Sequence, residues 1–112
     1  MEIVFKTNKL EKILTSEKQA TKEYGPEHAK KILHRMTELA AFENLGDVPT
    51  YKPMRCHELS NNRKNQFAIT SKEPYRIIFI PDYQQIPMNE FGGIAKDKIT
   101  RIKILEVSNH YE

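Results

Sequence analysis

The spacing of apolar residues changes once along the chain, from a helical period to alternation. Residues 2 to 5 (Glu-Ile-Val-Phe) are short and mostly apolar and predict a first strand. Asn8 followed three positions later by Glu11 has the form of a capping box, in which each side chain satisfies an orphan backbone N–H. Leu10, Ile13, Leu14, Ala20 and Tyr24 then mark one face of a helix. Gly25-Pro26 interrupts it, with Pro26 suited to the first position of a second helix. Ala29, Ile32, Leu33, Met36, Leu39 and Ala40 keep the amphipathic spacing, so this helix is expected to run to about Leu45 and stop at Gly46. The short break predicts an antiparallel helical hairpin.

Gly46, Pro49 and Pro53 make residues 46 to 54 a loop. Beyond it, strands are expected at 55–59, 66–71, 75–80 and 98–107, with Lys72-Glu73-Pro74 as a tight connection and 81–96 as a long loop. The fold class is therefore α+β: an N-terminal strand, an α-helical hairpin, then a four-stranded, mostly antiparallel sheet with the helices packed on one face, all in one domain spanning 1–112. Alternation turns Phe67, Ile69, Ile77 and Phe79 toward the helices. Gln66, Ala68, Thr70, Arg76, Ile78 and Ile80 fall on the opposite face, which is expected to be free for function.

Composition narrows the class. The 112 residues are 38% hydrophobic and 29% charged, with a mean hydropathy of −0.67, which fits one folded domain and excludes a disordered tail. No apolar run approaches the ~18 residues a membrane span needs, and the opening Met-Glu-Ile-Val-Phe-Lys lacks a secretory pattern. Cys56 is the only cysteine, so a reducing, cytoplasmic setting is expected and Cys56 reads as a core residue. The net charge of +3 is a mild bias, but its distribution is uneven. Arg55, Arg63 and Lys64 stand against Glu58 alone, and Lys96, Lys98, Arg101 and Lys103 against Asp97.

Arg76 is the most informative residue, because its neighbours in Tyr75-Arg-Ile-Ile-Phe-Ile80 are all apolar or aromatic. A guanidinium keeps its charge, so it must meet solvent, an acid or an anionic ligand. A salt bridge or a solvated strand position is one reading; phosphate recognition by the guanidinium fork is the other. His57 lies two residues after Arg55, hence on the same side of a strand, and Arg63 and Lys64 follow in a polar turn. Each alone reads as a satisfied histidine or a solvated turn; together they would form a basic patch beside Arg76. His110 and Tyr111 close the chain, as a fraying tail or as groups for proton transfer. Imidazole, phenol and several cations suit RNA cleavage, where the 2′-hydroxyl is the nucleophile and the protein moves protons and stabilises charge. No metal site is expected: Cys56 and His57 point to opposite faces, and His28 and His34 are off register on a helix. Gly92-Gly93 has no phosphate-loop context, and no serine elbow is present.

The stretch Arg55-Cys-His-Glu-Leu-Ser-Asn-Asn-Arg-Lys-Asn-Gln-Phe-Ala-Ile69, followed by Tyr75-Arg-Ile-Ile-Phe79 and Ile104-Leu-Glu-Val-Ser-Asn-His-Tyr111, resembles the HigB-type branch of the RelE/ParE toxins. The likeness covers nearly the whole chain. It implies the toxin of a type II toxin–antitoxin module, of the plasmid maintenance killer type: a cofactor-free, metal-independent endoribonuclease cutting mRNA on the ribosome. It also implies a HigA-like antitoxin with a helix-turn-helix domain, and contact with operator DNA only through the complex of the two. Transferred position by position, His57 falls on the motif's His, Lys64 on its basic turn residue and Arg76 on the strand Arg. With the closing pair and the basic residues already noted, Arg76, His57, His110 and Tyr111 are the catalytic candidates, and Arg55, Arg63, Lys64 and Lys103 the RNA-binding ones. The family often ends in Asp-Tyr-His, whereas this chain ends in Asn109-His110-Tyr111-Glu112, which leaves open which of His110 and Tyr111 faces the phosphate. Two other readings follow from the same likeness: a ParE-like toxin that inhibits DNA gyrase without a nuclease centre, and a remnant that only binds its antitoxin.

Overall fold

The computed structural model describes residues 1–109, in which three α-helices pack on one face of a five-stranded sheet. The strands are β1 (Glu2–Phe5), β2 (His57–Glu58), β3 (Phe67–Thr70), β4 (Arg76–Pro81) and β5 (Arg101–Ser108). Their order is β1-β5-β4-β3-β2. β2 to β5 form an antiparallel meander, and β1 adds to it parallel to β5, with Ile3 opposite Ile102. The α+β class holds, with a correction of strand number: the N-terminal strand joins the same sheet as a fifth member.

The helical half divides at hydroxyl residues. The helices are α1 (Asn8–Leu14), α2 (Glu17–Tyr24) and α3 (Pro26–Ala41). Thr7, not Asn8, caps α1, its Oγ1 accepting from the Leu10 amide at 3.0 Å. The expected single first helix breaks after Leu14, because Thr15 bonds back to the Glu11 carbonyl at 2.6 Å and Ser16 caps a new helix by accepting from Gln19 N. These local bonds compete with continuation of the helix. Gly25, at φ +82°, makes the turn between α2 and α3, and Pro26 opens α3. α3 ends at Ala41, short of Leu45, because Asn44 caps a separate 3-10 turn at Leu45–Asp47 and the Leu45 amide bonds to Ile99 O.

The core lies between α1, α3 and the sheet. Leu14, Ile32, Met36 and Leu39 meet Phe67, Ile69, Ile77, Phe79, Ile102 and Ile104 there. Phe67 and Phe79 stack across β3 and β4 with centroids 5.9 Å apart. The inward set matches the alternation. The opposite face does not match: it is not a free surface. Ala68 and Ile78 are fully buried there with Leu59 and the partly buried Leu105. A β-bulge places Leu105 between Glu106, opposite Ile78, and Ile104, opposite Phe79.

No helix among the described residues is long and apolar enough to cross a membrane. Phe79→Ala is expected to destabilise the protein by about 3–5 kcal/mol. A lowered denaturant midpoint at unchanged m-value would report this; a shift under about 1 kcal/mol would mean the core is not centred on the Phe67–Phe79 stack.

Candidate functional site

Three segments meet at the end of the sheet where β3 passes into β4. Thr70 and Arg76 face each other across these strands, and Ser108 pairs with Arg76 from β5. The next row along the same face is His57, Ala68, Ile78 and Glu106. Beyond the Thr70–Arg76 row lies the connecting turn, closed by Tyr75 N to Lys72 O at 3.0 Å and Ser71 N to Tyr75 O at 3.0 Å. The loop before β2 supplies the remaining wall.

That loop is folded tightly. The Cys56 amide donates to Pro49 O at 2.9 Å, and the Arg55 amide to Tyr51 O at 3.0 Å. Met54 and Cys56 are buried in the core, and Arg55 between them adopts a left-handed conformation with φ 51°. For a residue with a Cβ this conformation costs roughly 1–2 kcal/mol, and the two buried neighbours hold it in place. The Thr70 amide bonds to Met54 O at 2.7 Å, which ties the loop to β3. From the helical side Arg35 of α3 donates Nε to Thr70 O at 3.0 Å while its Nη1 holds Glu38 at 2.7 Å.

These contacts enclose a cavity of about 360 Å³ lined by Thr50, Arg55, His57, Thr70, Glu73, Tyr75 and Arg76. Its volume falls in the lower part of the ~300–1,000 Å³ range of ligand sites. Arg76 is only 8% exposed yet lines the wall, and Arg55, His57 and Glu73 are exposed at the rim. The His57 ring is oriented by its own loop, with Nδ1 2.9 Å from Arg55 O. A carbonyl can only accept, so Nδ1 carries the hydrogen and Nε2 is the basic atom of the neutral ring. Tyr75 is braced from beneath by edge-on contacts with Tyr24 (5.3 Å) and His28 (4.8 Å). Burial, then Glu23 and Tyr75, pushes the Tyr24 phenol up to about 12, so it stays neutral.

The cavity collects Arg55, His57 and Arg76 from the sequence-derived set and leaves out the rest. Arg63 is not a solvated turn residue: its Nε donates to Gln66 at 3.0 Å and its Nη2 to Glu106 at 2.5 Å, which fastens the 3-10 turn Asn61–Arg63 to β5. Lys64 is exposed on the same turn, away from the cavity lining. Lys103 lies toward the other end of β5, opposite Ile80 and 3.6 Å from Asp82. His110 and Tyr111 lie outside the described residues. Glu73, Tyr75, Thr50 and Thr70 were missed. Glu73 was masked by its place in a Lys-Glu-Pro turn, although a turn beside Arg76 is a position from which a carboxylate can reach an arginine-lined site. Among the described residues no three His, Cys, Asp or Glu side chains converge as metal ligands.

No protein-family model matches this chain, and no curated protein does. The chemistry has to be read from the side chains. Two guanidiniums, an oriented imidazole, a carboxylate and hydroxyls around a cleft suit an anion that undergoes proton transfer, such as a phosphodiester.

Two measurements check this partition. Arg63→Ala is expected to cost about 1 kcal/mol of stability through its partly exposed ion pair and to leave ligand affinity intact, measured by melting and binding side by side. Cys56 is buried, and burial pushes its thiol up to about 11. It should therefore resist alkylation at pH 7 until the protein is unfolded; rapid native labelling would place it outside the core.

Proposed function

We propose that this chain is a HigB-like toxin of the RelE/ParE type: a metal-independent endoribonuclease that cuts mRNA on the ribosome. The reading rests on one observation above all, the convergence of Arg76, Arg55 and His57 on a single cleft. Arg76 binds the scissile phosphate, and its fixed charge offsets the negative charge that grows on the phosphorane oxygens. Arg55 holds an adjoining phosphate from the rim. His57 moves a proton through Nε2. Tyr51, 72% exposed beside Thr50 of the lining, offers a ring on which an unstacked base can lie.

The reaction needs no group beyond these and the RNA itself, because the 2′-hydroxyl is the nucleophile. A cytoplasmic location follows from a ribosomal target, and an antitoxin with a helix-turn-helix domain would restrain the activity and carry the pair to operator DNA. The HigB-type sequence pattern supports this reading alongside the cleft.

Arg76→Gln is expected to reduce cleavage ~10²–10³-fold, the range for losing one preorganised charge-stabilising group. Arg55→Gln, at an exposed rim position, should also weaken cleavage and make the salt dependence of RNA binding shallower by roughly one phosphate contact. Primer extension on a translated message, with and without ribosomes, reads both. Undiminished cutting by both variants would refute the assignment, and intact message with double-strand DNA breaks would point to gyrase instead.

A further inference from the structure

Transesterification of RNA needs two proton transfers on opposite sides of phosphorus. One group takes the proton from the 2′-oxygen, and another gives a proton to the departing 5′-oxygen. The arginines cannot serve, because they do not deprotonate, and threonine hydroxyls do not titrate usefully. Tyr75 is held toward the helices by Tyr24 and His28. Among the described residues that leaves two groups in the lining, Glu73 and His57.

Their placement in the sheet is informative. His57 stands in the row with Ala68 and Ile78, and Thr70 and Arg76 form the next row on that face. Glu73 lies beyond that row, in the turn joining β3 to β4. Arg76 therefore falls between them along the strand direction, and successive rows on one face are about 7 Å apart. Along that face, then, the turn carrying Glu73 lies on one side of Arg76 and the row carrying His57 on the other.

Resting on the nuclease reading, we propose that Glu73 is the general base and His57 the general acid of cleavage. The Glu73 carboxylate accepts the 2′-hydroxyl proton as the 2′-oxygen forms its bond to phosphorus. The bond from phosphorus to the 5′-oxygen breaks, and that oxygen takes the proton from Nε2 of the His57 imidazolium. The products are a 2′,3′-cyclic phosphate and a 5′-hydroxyl. Glu73 ends protonated and His57 neutral, and exchange with water resets both. His57 is suited to the acid role because its Nδ1–H is already committed to the Arg55 carbonyl, which leaves the second proton on Nε2. The carboxylate, when ionised, only accepts.

The test uses the full chain on ribosomes carrying a message whose cut site has been mapped, then the same message with a 5′-bridging sulfur at that site. Thiolate leaves without protonation, so this substrate bypasses the acid and not the base. On the natural message, E73Q and H57Q are each expected to lose ~10²–10⁴-fold in kcat, the usual span for acid–base groups, with KM little changed. On the sulfur-bridged message H57Q should recover most of its loss and E73Q none. Recovery by E73Q would reverse the roles, and recovery by neither would remove His57 as the acid. Wild-type kcat in E73Q would end the Glu73 proposal while leaving the nuclease reading intact. If the wild-type chain cuts neither message, the nuclease reading itself falls.

Discussion

A guanidinium that keeps its charge is held at 8% exposure at the first residue of β4, inside the most apolar stretch of the chain. Removing such a group from bulk water costs several kcal/mol if nothing polar compensates it. The surroundings of Arg76 are accordingly the least uniform part of the fold. The layer over Ala68 and Ile78 is made by Leu59 and Leu105, and Arg76 stands one row beyond it. A cleft opens there. Arg76 forms part of that cleft's wall.

The cleft is open and its walls are stiff. The loop at Arg55 is fastened to β3 by backbone bonds, the end of β3 is held from α3 by Arg35, and the turn rests on the Tyr75–Tyr24–His28 cluster. Side chains fixed by such supports are already oriented, and less reorganisation is left for a bound ligand to impose. The opposite end of β5 has a different character. Arg101 binds both Glu2 and Asp82 there, and its Nε hydrogen bond holds the Asp82 carboxyl below the ordinary carboxylate range. Those basic residues are tied to acids of the same end of the sheet, whereas Arg55 and Arg76 line the cleft at the other.

The periodicity made the inward faces legible, because a helical stripe and a strand alternation each admit only one buried side. Phe67, Ile69, Ile77 and Phe79 lie where alternation puts them. Helix boundaries were harder to read, since Thr15 and Ser16 are ordinary helix residues until their hydroxyls take up backbone groups. The outer face was misjudged for a longer-range reason: the bulge at Leu105 and the Arg63–Glu106 bond bring covering groups from distant sequence. Arg55 and His57 were grouped correctly on an incorrect premise. The strand is only His57–Glu58, and it is the left-handed turn at Arg55 that brings the pair to the cleft. Glu73 was hard to single out, because the residues that share its cleft come from distant parts of the sequence, Thr50, Arg55 and His57 among them.

The meander ends at β2, and that margin of the sheet is abrupt: two residues, entered through a left-handed kink and left toward a 3-10 turn. A longer, straighter border would present a row of unpaired amides and carbonyls for another chain to extend. So brief a border gives a foreign strand little to register against, which disfavours edge-to-edge aggregation of the protein. The same brevity means that the margin beside the cleft offers no long strand for a neighbouring copy to extend.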